Sequence, residues 1–275
     1  MQSSSPIFEV DYKYSAEGDV AEYAYNNLLC NAEQTEIILR GSPPVTFKLL
    51  EPKKVIEKDY YYACAGQDDN AKGVSVRLRH RRVASCLDSW DVVRRTEPEK
   101  YCLIKFDNSE PDHAGHKKKS EMIFSKPQKA CSTQLDLNHP ACYMDEKREF
   151  VELKPQQSIA EVLKARKITV SPTPFVCLDQ QRIVRDVEVN GKPAFRISMD
   201  DVTTGRANRL HIIEVEILDG NPDLSADVIE QFEQWLAKFQ IKPEPRSKLE
   251  MLLPTRNLET LAIGREEQAQ PRLAA

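Results

Sequence analysis

No stretch of this 275-residue chain approaches the roughly 20 consecutive apolar residues that a membrane-spanning helix requires. The segment Met1 to Pro6 is polar and lacks a basic stretch followed by an apolar run, so the sequence carries no sign of a secretory signal. There is no basic excess either. Lys and Arg number 39 against 43 Asp and Glu, a formal charge of −4, which argues against a general nucleic-acid binder but leaves room for a locally basic pocket. The seven cysteines (Cys30, Cys64, Cys86, Cys102, Cys131, Cys142 and Cys177) show no framework spacing, and none sits beside a histidine in a nucleophile pattern. No internal repeat is visible. These absences describe a soluble, cytoplasmic protein with reduced thiols and no membrane partner.

What the chain does have is period-two alternation. It runs through Phe8 to Tyr14, Ile56 to Ala63, Val74 to Arg82, Tyr101 to Phe106, Lys147 to Leu153, Arg182 to Val189, Ala194 to Met199 and Leu210 to Leu218. Each run is rich in β-branched or aromatic residues and has the length of a strand. Asn190-Gly191, between two such runs, is the strongest hairpin signal. Helical periodicity is confined to Asp19 to Leu29, to a segment from Ser158 to about Lys167 with Glu161 completing a capping box, and to Ser225 to Phe239. In the last of these, Val228, Ile229, Phe232, Trp235, Leu236 and Phe239 share one face, a core pattern for Trp235 and Phe239. Residues 107–145 and 41–54 read as insertions, the first a long polar loop. The tail from 241 to 275 allows a helix over about 257–267.

The polar faces of the strands are unusual. Side chains alternate, so Glu9, Asp11 and Lys13 share a face opposite Val10 and Tyr12. Arg77, Arg79 and Arg81 likewise oppose Val76 and Leu78, Lys105 opposes Ile104 and Phe106, and Arg196, Ser198 and Asp200 fall together. Glu214 and Glu216 oppose Ile213, Val215 and Ile217. The plain explanation is a half-buried sheet with its charges in water. The alternative is a sheet curled so that the charges face inward. Acid pairs at spacing two in the first and last strands would then meet, and would need a cation between them; hard divalent ions take carboxylate oxygens.

These strands, in this order, resemble the CYTH, or triphosphate tunnel metalloenzyme, superfamily. The resemblance rests on Glu9-Val10-Asp11-Tyr12-Lys13 against an N-terminal Glu-x-Glu-x-Lys strand, with a shorter second acid here. It continues through Tyr60-Tyr61-Tyr62, Arg77-Leu78-Arg79, the strand ending in Lys105, Lys147-Arg148-Glu149, Arg182, Ser198-Met199-Asp200 and the closing Glu214-Val215-Glu216. It spans residues 7–240. The fold it implies is α+β: a closed antiparallel eight-stranded β-barrel, or tunnel, with flanking helices.

The resemblance implies that Arg77, Arg79, Lys105, Arg182 and Arg196 bind phosphate. It implies that Glu9, Asp11, Glu214, Glu216 and Asp200 hold Mg²⁺ or Mn²⁺, and that Lys13 acts beside Glu9 and Asp11 in catalysis. The expected function is metal-dependent hydrolysis of a triphosphate or other phosphorylated small molecule. An adenylyl-cyclase-like or other lyase reaction on the same fold, and a non-catalytic ligand-binding tunnel, remain open. Outside this pattern, Cys131, His139, Cys142, His113 and His116 could supply zinc ligands but lack the tight pair usual in such sites. Lys117 to Lys119 reads as a solvated loop, and Trp90 as a cover for the exterior or for a ligand.

Overall fold

The computed structural model describes residues 8–41, 44–66, 73–107, 117–129, 134–145, 149–205, 209–217 and 226–253, with 8–10, 107, 117–120 and 226 described by backbone alone. In chain order, β1 (Phe8–Ser15) leads to α1 (Asp19–Ala24), which continues as a π-helical turn (Tyr25–Leu29), and then to a hairpin of β2 (Glu36–Leu39) and β3 (Val45–Leu49). Strands β4 (Lys53–Gly66) and β5 (Val74–Ser85), helix α2 (Trp90–Arg95), and strands β6 (Glu99–Asp107), β7 (Lys117–Ser125), β8 (Gln128–Lys129), β9 (Ala141–Met144) and β10 (Phe150–Glu152) follow. Helix α3 (Ile159–Ala165) precedes three long strands, β11 (Ile168–Val189), β12 (Lys192–Thr203) and β13 (Arg209–Ile217). Helix α4 (Ala226–Ala237) and β14 (Lys242–Pro243) end the first of two units, 1–245; the described part of the second, 246–275, holds α5 (Lys248–Leu252) with Ser247 and Glu250 as its capping box.

The fold is thus α+β, dominated by one antiparallel sheet of fourteen strands in the order β10-β9-β7-β1-β13-β12-β11-β4-β5-β6-β8, with β2, β3 and β14 off this path. Strand β7 is bonded to β1 through Lys117 to Glu121 and to β6 through Ser120 to Phe124. Among the described residues no helix is long and apolar enough to cross a membrane.

Seven of the eight expected strands are present, six of them longer than their alternation indicated and β13 matching its run to within one residue at the described ends. The eighth, Lys147 to Leu153, shrinks to β10; residues 146–148 lie outside the described residues. The reading of 107–145 as one long loop is corrected, because β7, β8 and β9 lie within it. Lys117 to Lys119 belongs to β7, where ladder bonds to β1 hold a run too polar to announce itself as a strand. Likewise 41–54 contains β3, paired with β2 and with the end of β11. Strand β11 starts well before Arg182. Pro172 and Pro174 concealed that half, and the ladder accommodates them with register shifts around Pro174. The proposed cap Ser225 and the tail helix over 257–267 lie outside the described residues.

Local chemistry explains the joints. Asn190 (φ 52°) and Gly191 (φ 76°) both take the left-handed conformation that a tight two-residue hairpin between β11 and β12 demands. Ser158 accepts a bond from Glu161 N–H while the Glu161 carboxylate accepts one from Ser158 N–H, so two orphan donors of α3 are satisfied.

The apolar faces of the strands are covered by helices. Tyr14, Phe47, Phe195, Ile197 and Val215 pack under Ile229, Phe232 and Leu236 of α4 and under Ala21 and Ala24 of α1. On another part of the sheet, Val76, Ile104, Phe106 and Ile123 pack under Ile159, Val162 and Leu163 of α3. Phe232 is the keystone of the first layer, 1 % exposed and in ring contact with Tyr14, Phe47, Phe195 and Trp235. Replacing Phe232 by Ala removes those contacts and leaves a cavity. Guanidinium titration should show a loss of about 3–5 kcal/mol for Phe232→Ala, with an unchanged far-UV spectrum before the transition.

Candidate functional site

The opposite face of the same strands is charged, and it is buried too. Antiparallel partners point to the same side of a sheet, and the register sets the polar residues beside one another. Asp11 faces Glu216 and Lys13 faces Glu214 across β1 and β13. Arg196 faces Glu216 and Ser198 faces Glu214 across β12 and β13, while Arg182 faces Asp200 and Asp186 faces Arg196 across β11 and β12. Across β4 and β5, Glu57 faces Arg81, Asp59 faces Arg79 and Tyr61 faces Arg77. Asp59 and Asp200 are 0 % exposed, and Glu57, Ser198, Asp11, Arg79, Arg182 and Lys13 are all below a tenth. Charges in water on a half-buried sheet are therefore excluded for these positions.

Two guanidiniums organise the cluster. Arg79 donates from Nε and Nη2 to the two oxygens of Asp59, both at 2.7 Å, and its Nη1 lies 3.0 Å from Glu57. Arg182 donates from Nε to Asp200 at 2.8 Å, from Nη1 to Glu57 at 2.8 Å, and from Nη2 to Ser198 Oγ at 2.7 Å and Glu214 at 3.2 Å. It thereby joins β4, β11, β12 and β13. Gln180 donates to Asp59 at 2.9 Å. Arg77 reaches Asp59 at 3.1 Å and donates to the Tyr61 hydroxyl at 2.8 Å, and Lys105 donates to Asp11 Oδ2 at 2.8 Å. Arg196 binds Asp186 at 2.8 Å in a more open setting, where Asp186 is 42 % exposed.

The electrostatics follow from this geometry. Burial pushes the Glu57 carboxyl up, but Arg79, Arg182 and Arg81 outweigh it and hold it well below the usual carboxylate range. Burial also opposes ionisation of Asp59, and Arg77 and Arg79 prevail there. Burial disfavours charge on Arg79 and Arg182, yet their carboxylate partners raise both well above the ordinary value. All four are ionised at neutral pH.

Not every polar atom is satisfied. Asp11 Oδ1, Arg77 Nε, Arg81 Nε and Glu57 Oε1 are buried without a hydrogen bond, although Arg81 Nε and Glu57 Oε1 stand 3.4 Å apart. An acceptor and donors left open on one charged face are places where water, a cation or an anion could bind.

The structure therefore brings together Asp11, Lys13, Arg77, Arg79, Lys105, Arg182, Asp200, Glu214 and Glu216 on one face, with Arg196 at the more exposed side. The backbone of Glu9 is in β1, and its side chain lies outside the described residues. Glu57 and Asp59, the most connected acids, were missed. Their acid-x-acid spacing on a strand, as in Glu214-Val215-Glu216, was the available signal, beside the Tyr60-Tyr61-Tyr62 run.

Of the proposed zinc ligands, His113, His116 and Cys131 lie outside the described residues. His139 sits 3.1 Å from Asp136, and Cys142 is buried among Tyr101, Leu103 and Phe124. Among the described residues no group of three or more His, Cys, Asp or Glu side chains is arranged to hold a metal. Burial lifts the Cys30 and Cys102 thiols to about 12 and Cys177 to about 11, so none is a ready nucleophile. Trp90 lies on the exterior under Lys54, whose Nζ stands 5.6 Å from the ring centre.

Neither a family model nor a curated protein matches the chain. Among solved structures it is similar to the PH1819 protein from Pyrococcus horikoshii OT3, with 17% identity and a TM-score of 0.43 over 92% of this chain and 99% of that one. It is also similar to HpAC1 from Hippeastrum, described as a putative adenylyl cyclase with a dominant triphosphatase activity, with 12% identity and a TM-score of 0.42 over 97% and 100% of the two chains. The Mediator head module of Schizosaccharomyces pombe matches at 11% identity and a TM-score of 0.33, over 85% of this chain and 93% of that one.

A buried arginine stripped of its acid is costly. Asp59→Ala should destabilise the protein by about 3–5 kcal/mol at neutral pH. Asp59→Asn should cost less and change the pH dependence. Because the folded Asp59 carboxyl is depressed, its contribution is complete above the unfolded value of about 4 and is lost as pH falls below it. The stability gap between wild type and Asp59→Asn, read from urea titrations, should be widest near pH 7 and narrow below pH of about 4.

Proposed function

We propose that this chain binds a phosphorylated small molecule, with a triphosphate as the leading class, in a charged channel and hydrolyses it with the help of Mg²⁺ or Mn²⁺. The observation that carries this reading is the buried face on which Lys13, Arg77, Lys105 and Arg182 meet Asp11, Glu57, Asp59 and Glu214. Folding alone does not require such a face, since well-packed apolar residues would serve stability as well or better. Perturbed, buried ionisable groups of both signs are the usual mark of a working site.

The reading takes β1, β13, β12, β11, β4, β5, β6 and β7 as one closed barrel. It is supported by the successive ladders that lead from β1 through these strands and back to β1 from β7. The burial of Asp59 and Asp200 on the face that no helix covers supports it as well.

In this reading the cations divide into two groups. Arg79 and Arg182 spend their donors on carboxylates and act as the frame, so a phosphate reaches them only by displacing an acid. Arg77, whose Nε makes no hydrogen bond, is the guanidinium offered to phosphate oxygens, and Lys13, Lys105 and Arg81 join it by exchanging present partners, Asp11 for Lys105 and Glu57 for Arg81. Lys13, buried on the acid side, neutralises charge developing on the transferred phosphoryl group. Arg196 takes phosphate at the more open side.

The residues present fit a divalent ion to a limited degree. Asp11 and Glu216 are register partners on adjacent strands, and Asp11 Oδ1 has no hydrogen bond. Mg²⁺ needs no more than one or two protein carboxylates when phosphate oxygens and water complete its shell. When bound, the ion neutralises phosphate charge and polarises water for in-line attack. Glu214 and Asp200 give oxygens to Arg182 and steady that acid side from behind. Because acids and bases are close to balanced on this face, it exerts little net pull on a polyanion. The metal is expected to be needed for binding as well as for turnover.

The saturation of Arg79 and Arg182 favours one other reading, a tunnel that holds its phosphorylated ligand without turnover.

The deciding experiment measures orthophosphate release and, by calorimetry, binding, across inorganic triphosphate, thiamine triphosphate and ATP with Mg²⁺, Mn²⁺ or chelator. Release that requires the metal is expected. Arg77→Ala should weaken binding by about 10–100-fold, the worth of a charge-assisted hydrogen bond, and Glu216→Gln should raise the metal concentration required. Tight binding without release would select the non-catalytic tunnel. Neither binding nor release with either metal would end the proposal.

A further inference from the structure

We propose that β2 is an assembly edge: in solution it pairs, antiparallel, with β2 of a second copy of this chain about a two-fold axis through Ile38. Strand β2 is bonded to β3 on one side, and among the described residues no strand lies along its other edge. Open edges of this kind are usually blunted by proline, lysine or a bulge, and Glu36–Leu39 contains none of these. Ile38 at its centre is instead a large aliphatic that is 61 % exposed.

The strand is complementary to itself. A two-fold axis normal to the sheet keeps each residue on its own side, so the allowed registers are those centred on a residue. Centring on Ile37 would set Glu36 against Ile38. Centring on Ile38 sets Ile38 against Ile38 and Glu36 against Arg40 of the second copy, twice by symmetry, all on the exposed side. On the other side the same register sets Ile37 against Leu39, both buried in the layer beneath α4. Apolar meets apolar on both faces and acid meets base on the exposed one, which is how cross-strand pairs stabilise a sheet. Symmetric pairing of this type consumes the β2 edge of both copies and so ends at a dimer. There is also room for an added strand, because two hollows of about 210 and 260 Å³ lie beside β2 with Ile38 and Trp235 in the walls of both.

The test is the mass of the full chain in solution, by light scattering after gel filtration over a range of concentrations. A concentration-dependent dimer is expected. Glu36→Arg, which sets two like charges against each other on each side of the axis, should weaken it by about tenfold, and Ile38→Lys should abolish it. The double variant Glu36→Arg with Arg40→Glu restores the pairing with reversed signs and should dimerise like the wild type. These side chains are on the surface, and an unchanged melting temperature would confirm that the variants fold. A monomer at every attainable concentration would overturn the proposal. So would a dimer indifferent to Ile38→Lys, or a double variant no better than Glu36→Arg alone.

Discussion

The guanidinium of Arg182 is the constraint around which the described fold is built. An arginine cannot shed its proton to escape a buried setting, so every direction in which it donates must find an acceptor. Here those acceptors come from three other strands: Glu57 in β4, Asp200 and Ser198 in β12, and Glu214 in β13. Arg79 imposes a second demand that only Asp59 and Glu57 meet. Glu57 is shared by both, and it ties the two halves of the cluster together. A one-residue slip in any of these ladders would turn a charged group into the apolar layer and leave its partner buried alone. The network thus specifies register at least as much as it supplies stability, since a buried ion pair by itself earns little net energy.

From that constraint the rest of the architecture follows. Where one face of a long strand carries buried charge, as in β4, β5, β11, β12 and β13, the other is apolar and is not left in water. Helices α1, α4 and α3 cover it, and their placement explains why so much aromatic and aliphatic surface lies on the side away from the charges. Charge buried on one face, with apolar residues packed between the other face and the helices, is what gives a chain with no basic excess a buried cluster of both signs.

Much of this was legible in the order of residues. Alternation at Phe8 to Tyr14, Val74 to Arg82 and Leu210 to Leu218 located strands, and period two alone assigned Asp11, Arg79 and Glu216 to faces opposite Tyr12, Leu78 and Val215. What alternation cannot say is which face is buried, because burial is a property of the assembled sheet and not of any strand. Strand β7 was hidden because Lys117 to Ser120 draws its strand character from its partners rather than from its own side chains. The first half of β11 was hidden by Pro172 and Pro174, which edge and bulge positions tolerate. Glu57 and Asp59 bear no local mark of burial, since nothing nearby in the chain records that Arg182, 125 residues away from Glu57, will lean on it.

The arginines of the cluster keep their charge throughout the working range, so its balance can change only through its acids or through what enters. An incoming phosphate group adds negative charge to a face already close to neutral. It must then either displace a carboxylate from Arg79 or Arg182, at the cost of leaving that carboxylate buried and unpaired, or arrive with a cation of its own. The second route costs less, because Asp11 keeps an oxygen without a hydrogen bond on the same side as its register partner Glu216. On the proposed reading, such a face favours charge-compensated anions: a bare polyanion would meet a balanced lattice of acids and bases, whereas the same anion with a divalent ion would meet complementary groups of both signs.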